Sequence, residues 1–199
     1  MKRQSGENRY DRTGSKGNRK NTGTKNITQV SGVKYMAVTG LFAAMITIMT
    51  AYIAHIPVGV NGGYIHFGDS LIYLAAVLLP TPYALAAAAI GGGLADLLTA
   101  PMWAPATILI KMIIALPFSN KTKKIINVRN VVAAIVAYPI SGTLYFIAEY
   151  ILFGNASSAF LVSMVGSLMQ SGGSAVFFVL FGLALDKMNG KKRLQNLLV

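Results

Sequence analysis

The sequence predicts an all-α integral membrane protein with six transmembrane helices and both termini in the cytoplasm. Three observations predict it. The first is composition: 54% of the 199 residues are hydrophobic and only 12% are charged, where a soluble domain carries about 25%. The second is a series of apolar stretches close to the roughly 20 residues a helix needs to cross the hydrocarbon core, in a chain of mean hydropathy +0.54. The third is where the cations fall. Of 18 Lys and Arg residues, all but Lys111 lie in residues 1–34, 119–130 and 187–193. With six crossings and a cytoplasmic N-terminus, these three clusters share one side, as the positive-inside rule requires. One crossing more or fewer would set them on opposite sides.

The elements follow in order. Residues 1–33 are polar and rich in Gly, Asn, Lys and Arg, without an apolar run. They predict a disordered basic cytoplasmic tail that touches anionic lipid, with no cleavable signal peptide. The membrane domain is expected over 34–190 and a short cytoplasmic tail over 191–199. Span one runs from Tyr35 to Ile53, and span two from Tyr64 to Leu79, only ~24 Å at helical rise. Span three runs from Tyr83 to Leu98, span four from Pro105 to Phe118, span five from Val131 to Leu152, and span six from Ala159 to Leu185. Pro80, Pro82, Pro101 and Pro105 punctuate the three compact middle spans.

Ionisable residues at membrane depth are costly, and each is a functional hypothesis. Asp69, Asp96, Lys111 and Glu149, with His66 and His55, all fall in the outer half of their spans. A proton relay needs groups on both sides of the midplane; this pattern predicts a polar cavity open to the outside. Lys111, alone on its helix and ~9 Å below the outer end of span four, is assigned to ligand binding or ligand organisation. Asp69 and Asp96 serve equally well as ligand contacts or as partners of Lys111. His66, Tyr64, Trp103 and Gln170 complete the candidate site. Tyr64 and Trp103 also suit interfacial anchoring, and Glu149 suits an interfacial position. Gly91, Gly92, Gly93, Gly172 and Gly173 read as helix-packing positions. Gly40 and Ala44, with Ala37, form a small-residue face on span one, a docking surface for another helix.

Several functions are excluded. There is no cysteine, hence no disulfide, thiol nucleophile or Cys metal site. No metal-ligand array, cofactor signature or catalytic motif is present, and no P-loop for ATP. The two halves show no repeat of the kind found in inverted-repeat transporters.

The stretch "HFGDSLIYLAAVLLPTPYALAAAAIGGGLADLLTAP", followed by "WAPATILIKMIIALPF", resembles the substrate-binding S components of energy-coupling-factor (ECF) vitamin transporters. GD opens span two, a Gly-rich span three ends in AD, and an isolated Lys stands in span four. This pattern is similar to the riboflavin, pyridoxine and hydroxymethylpyrimidine carriers. The resemblance covers residues 34 to about 190. It implies a non-enzymatic subunit in the cell membrane that captures a water-soluble vitamin or precursor from outside. It also implies docking through span one onto a transmembrane coupling protein driven by two cytoplasmic ATPases. The family's docking signature is an AxxxA-like pair; here Gly40 takes the first small position and Ala44 the second. The loop 55–63 would act as a lid. The competing readings are a self-sufficient secondary transporter, a membrane-embedded enzyme and a scaffold. They differ in needing no ATPase partner, in placing catalytic groups at the lipid interface, and in binding no small molecule.

Overall fold

The computed structural model describes residues 16–53, 55–58, 63–154 and 156–198. The fold is nearly all helical: α1 (Lys16–Ala51), a hairpin of β1 (Ile56–Val58) and β2 (Gly63–Ile65), then α2 (Asp69–Leu78) and α3 (Thr81–Thr99). A 3-10 turn over Pro101–Trp103 leads into α4 (Ala104–Ala115), followed by α5 (Val128–Phe153), α6 (Ala156–Lys187) and α7 (Gly190–Leu198). Among the described residues, four segments have the length and hydropathy to cross a membrane: Ser31–Ala51, Thr81–Thr99, Val128–Phe153 and Ser163–Lys187. Two apolar helical segments, Asp69–Leu78 and Pro101–Ala115, are shorter.

One expectation changes. Span two loses its first turn. Pairing of Ile56 with Ile65 and of Val58 with Gly63 holds that stretch as a hairpin, and α2 starts only at Asp69. α1 begins at Lys16, within the basic tail; residues 1–15 lie outside the described residues. The C-terminal tail also folds: after Asn189 at φ 53, a conformation Asn tolerates, α7 turns back and buries Leu198 against the core.

Close packing is made by small residues. α1 presents Thr39, Ala43, Ile46 and Thr50 inward, and meets α3 where Gly91 lacks a side chain. A Cβ at Gly91 would stand 2.7 Å from Ile46 Cβ and 2.9 Å from Ala43 O. Thr47 Oγ1 donates to Gly91 O across that contact at 3.0 Å. Hydrophobic burial gives helices in lipid little reason to associate, so such backbone approach and interhelical hydrogen bonding do much of the work. The opposite face of α1, with Ala37, Gly40, Leu41, Ala44 and Ile48, is exposed, and a Cβ at Gly40 would meet nothing within 4 Å.

One end of the bundle gathers the basic segments. There Asn120 donates to Leu79 O at 2.8 Å. Asp186 accepts the N–H groups of Ile125 and Ile126 at 2.8 and 3.0 Å. Buried Asn130 accepts from Ser119 N–H and donates to the carbonyls of Ser119 and Ile125, so the 119–127 loop is fixed rather than free. Asn127 caps α5, accepting from Asn130 N–H at 3.1 Å. Gly154 ends α5 in the left-handed conformation. The opposite end carries the hairpin.

Candidate functional site

The two shorter apolar helical segments carry the charged pair. Asp69 is the first residue of α2, and Lys111 sits in the interior of α4. Their side chains meet at 2.7 Å with 0% and 1% exposure. Gln170 of α6 donates its Nε2 to the second carboxylate oxygen of Asp69 at 2.8 Å. One carboxylate thus ties α2, α4 and α6 together. Isolated charges at such depth would cost several kcal/mol each; here the carboxylate is paired and hydrogen-bonded on both oxygens.

The shell around the pair is polar on one side and aromatic on the other. Lys111 Nζ lies 5.5 Å from the centre of the Tyr145 ring, within cation–π range. Tyr145 is held by Thr107 at 3.1 Å and edges onto Trp103 at 6.1 Å, with Phe153 6.0 Å beyond. Asp96 is buried and adds its field at Lys111. The aliphatic stem of Lys111 lies in a groove cut by Gly92: a Cβ there would stand 2.8 Å from Lys111 Cγ and 3.3 Å from Thr107 Cγ2. The triple glycine therefore does more than pack helices. Gly91 admits α1, Gly93 admits Ile108, and Gly92 seats the lysine.

One turn further from the hairpin, Ser141 and Ser171 share a hydrogen bond at 3.2 Å. Tyr73 Oη approaches Ser171, and among the described residues Ser174 Oγ has no hydrogen-bond partner. Buried hydroxyls are normally satisfied, so this layer keeps unused hydrogen-bonding capacity. Below it Tyr73 stacks on Phe118 at 4.8 Å, and Phe178 closes the floor edge-on.

His66 borders the cluster from the hairpin side. Its Nδ1 accepts the Gly68 N–H at 3.0 Å, with Thr50 Oγ1 at 3.5 Å, which leaves the ring proton on Nε2. His55 Nδ1 lies 3.3 Å from Thr50 O.

Asp69, Lys111, Gln170, Asp96 and His66 are therefore brought to one region. Trp103 is 7% exposed and packs inside the bundle, which removes the interfacial-anchor role. Glu149, expected at the interface, is buried and accepts from Ser163 Oγ at 2.8 Å. The backbone of Tyr64 pairs with Pro57 in the hairpin; its side chain lies outside the described residues. Gly172 and Gly173 are not equivalent: a Cβ at Gly172 meets nothing, and at Gly173 it would overlap the Phe67 ring. Phe67, Thr50, Thr107 and Tyr145 were invisible as site residues in the sequence, since an aromatic or a threonine in an apolar stretch carries no signal of its own.

Helices long and apolar enough to cross a membrane, packed with a buried ion pair on the two shorter apolar segments, define a membrane protein with a polar cluster in its interior. Residues 30–187 match the family described as ECF-type riboflavin transporter, S component. The chain belongs to that family. A protein from Pyrococcus woesei described as "Uncharacterized protein in gap 3'region" is 38% identical over 63 residues, 32% of this chain. The match spans 43% of that relative, less than half its length.

Proposed function

We propose that this chain captures a water-soluble, heteroaromatic vitamin or vitamin precursor of the riboflavin, pyridoxine or hydroxymethylpyrimidine type. It delivers its cargo through a transmembrane coupling protein and two cytoplasmic ATPases. The six apolar helical segments make six crossings, with both termini cytoplasmic and the hairpin outside. The observation that carries the reading is the Asp69–Lys111–Gln170 junction. It is a buried, preorganised set of donors and acceptors where three helices meet, next to the Trp103–Tyr145 aromatic wall. Vitamin pockets combine such apolar walls with a few placed polar groups. A flat ring lies against the wall. Its polar edge exchanges hydrogen bonds with Lys111 and Asp69, with Asp96 and His66 beside them. One buried cation facing several carboxylates suits a neutral or weakly charged ligand better than a dianion. The exposed Ala37, Gly40 and Ala44 face on α1 supports docking onto the coupling protein: a Gly at its centre lets a second helix approach closely.

The test is direct binding of riboflavin, pyridoxine and hydroxymethylpyrimidine to the purified protein. One of them binds, and Lys111→Ala weakens it at least about tenfold, ~1.4 kcal/mol. Absence of binding across the panel refutes the ligand class. Copurification with a coupling protein and two ATPases, abolished by Gly40→Trp, tests the partners.

A further inference from the structure

The joint between the hairpin and α2 is held by two interlocks, one on each side. On the α1 side, Gly68 leaves room for Thr50: a Cβ on Gly68 would overlap Thr50 Oγ1 and stand 3.0 Å from His66 Nδ1. The same threonine reaches His66 Nδ1, which already accepts the Gly68 N–H. On the α6 side, the Phe67 ring fills the notch left by Gly173. A Cβ there would overlap the ring edge, Cδ1 included at 2.6 Å, and Phe177 flanks the ring at 5.2 Å. Between these anchors Phe67 O accepts both the N–H and the hydroxyl of Ser70, at 3.1 and 2.7 Å. The next residue after Gly68 is Asp69, whose two oxygens serve Lys111 and Gln170.

We infer that Phe67, seated in the Gly173 notch, is a positioning residue for the binding site: the ring against α6 sets where Asp69 stands between Lys111 and Gln170. The geometry has a direction. Gln170 and Gly173 lie three residues apart on α6, so they share a face. The contact that receives the ring and the one that receives the carboxylate therefore move together. Gly172, next in sequence, faces open space and supplies an internal control. A substitution there changes helix propensity equally but touches nothing. The inference rests on reading the Asp69 cluster as the ligand site, and its test is separable from that reading.

The chain has no cysteine, so Ser70→Cys provides a single thiol at a position 1% exposed. In this background Gly173→Ala raises the labelling rate by a water-soluble maleimide roughly tenfold or more, as expected when a local segment opens. Gly172→Ala leaves the rate unchanged. Phe67→Ala raises it as Gly173→Ala does, and the double variant Phe67→Ala/Gly173→Ala rises no further, since both remove one contact. Should Gly173→Ala not fold, Phe67→Ala and the milder Phe67→Leu carry the test alone. Equal labelling in Gly173→Ala and Gly172→Ala, additive effects in the double variant, or no change in Phe67→Ala would overturn the inference. With riboflavin as the probe, Gly173→Ala weakens binding about tenfold and Gly172→Ala does not. A wild-type protein that ignores riboflavin refutes that ligand and leaves the labelling result to decide the positioning role.

Discussion

Neutralising one member of the buried pair tests the site energetically without reference to any ligand. Asp69→Asn keeps the shape of the side chain but offers one acceptor where the carboxylate offers two. It must turn its amide nitrogen towards either Lys111 or Gln170, both of which are donors. With Lys111 only 1% exposed, its ammonium is left without its carboxylate in a low-dielectric setting, a loss of about 3–5 kcal/mol. For a chain of this size each kcal/mol moves Tm by about 2–4 °C, so a fall of roughly 6–20 °C is expected. Lys111→Met alone strands the carboxylate and costs a similar amount. The double variant Asp69→Asn/Lys111→Met removes both charges and recovers most of the loss, because replacing a whole buried pair is close to neutral. Thermal unfolding of the four proteins in one detergent gives the cycle. Single variants within about 2 °C of wild type, or a double variant whose loss equals the sum of the singles, would refute the argument that the two charges depend on each other.

Other outcomes follow from the same geometry. Gly92→Ala pushes the Lys111 stem out of its groove and weakens ligand binding about tenfold, measured by titration, while Gly40→Ala, with nothing near its Cβ, leaves it unchanged. Asn130→Ala breaks three hydrogen bonds in the 119–130 turn and costs about 3 kcal/mol at roughly 1 kcal/mol per bond, read by thermal unfolding. Lys191 of α7 is buried, and among the described residues its Nζ has no hydrogen-bond partner, so Lys191→Met stabilises by about 1–3 kcal/mol. Burial also lowers the Lys191 pKa below 10.5, against a smaller opposing effect of Asp186. The native state thus carries a penalty at neutral pH that disappears as pH rises from the lowered value towards 10.5, and stability gained over that window in wild type is absent in Lys191→Met.

The residues differ in how legible they were. Asp69, Lys111 and Asp96 announced themselves, because an ionisable group in an apolar stretch is costly and therefore informative. Gln170 was visible more weakly, as an uncharged amide adding hydrogen-bonding capacity to an apolar stretch. What the sequence did not show was which of them touch: Asp69 and Gln170 are 101 positions apart, and only the packing of α2 between α4 and α6 brings them to 2.8 Å. The glycines were read correctly as packing sites in general and too uniformly in particular. Gly91, Gly92, Gly93 and Gly173 each receive a different atom, and Gly172 receives none; a glycine carries no mark of what will approach it. The hairpin was missed because IPV and GYI, three residues each, are too short for a period of two to be seen.

The missed hairpin is also what makes the site physically sensible. α2 has 10 residues, ~15 Å at helical rise and about half of the hydrocarbon thickness. Its first residue is fully buried in the bundle, and the backbone ahead of it must find partners for its polar groups within the protein. Three devices do so: the β1–β2 pairing, the His66 ring accepting the Gly68 N–H, and Phe67 O accepting from Ser70. Non-helical backbone at membrane depth is tolerated only where protein lines it in this way. The consequence is an α-helix N-terminus, with its partial positive charge, inside the bundle, and the first side chain it offers is a carboxylate. A full-length helix would place a mid-helix residue at this depth, with its backbone N–H bonded four residues back and no dipole end to favour an anion. Discontinuous helices are how membrane transporters build polar sites near the bilayer centre. Here the interruption before α2 places Asp69 where a helix terminus, Lys111 and Gln170 all stabilise its charge.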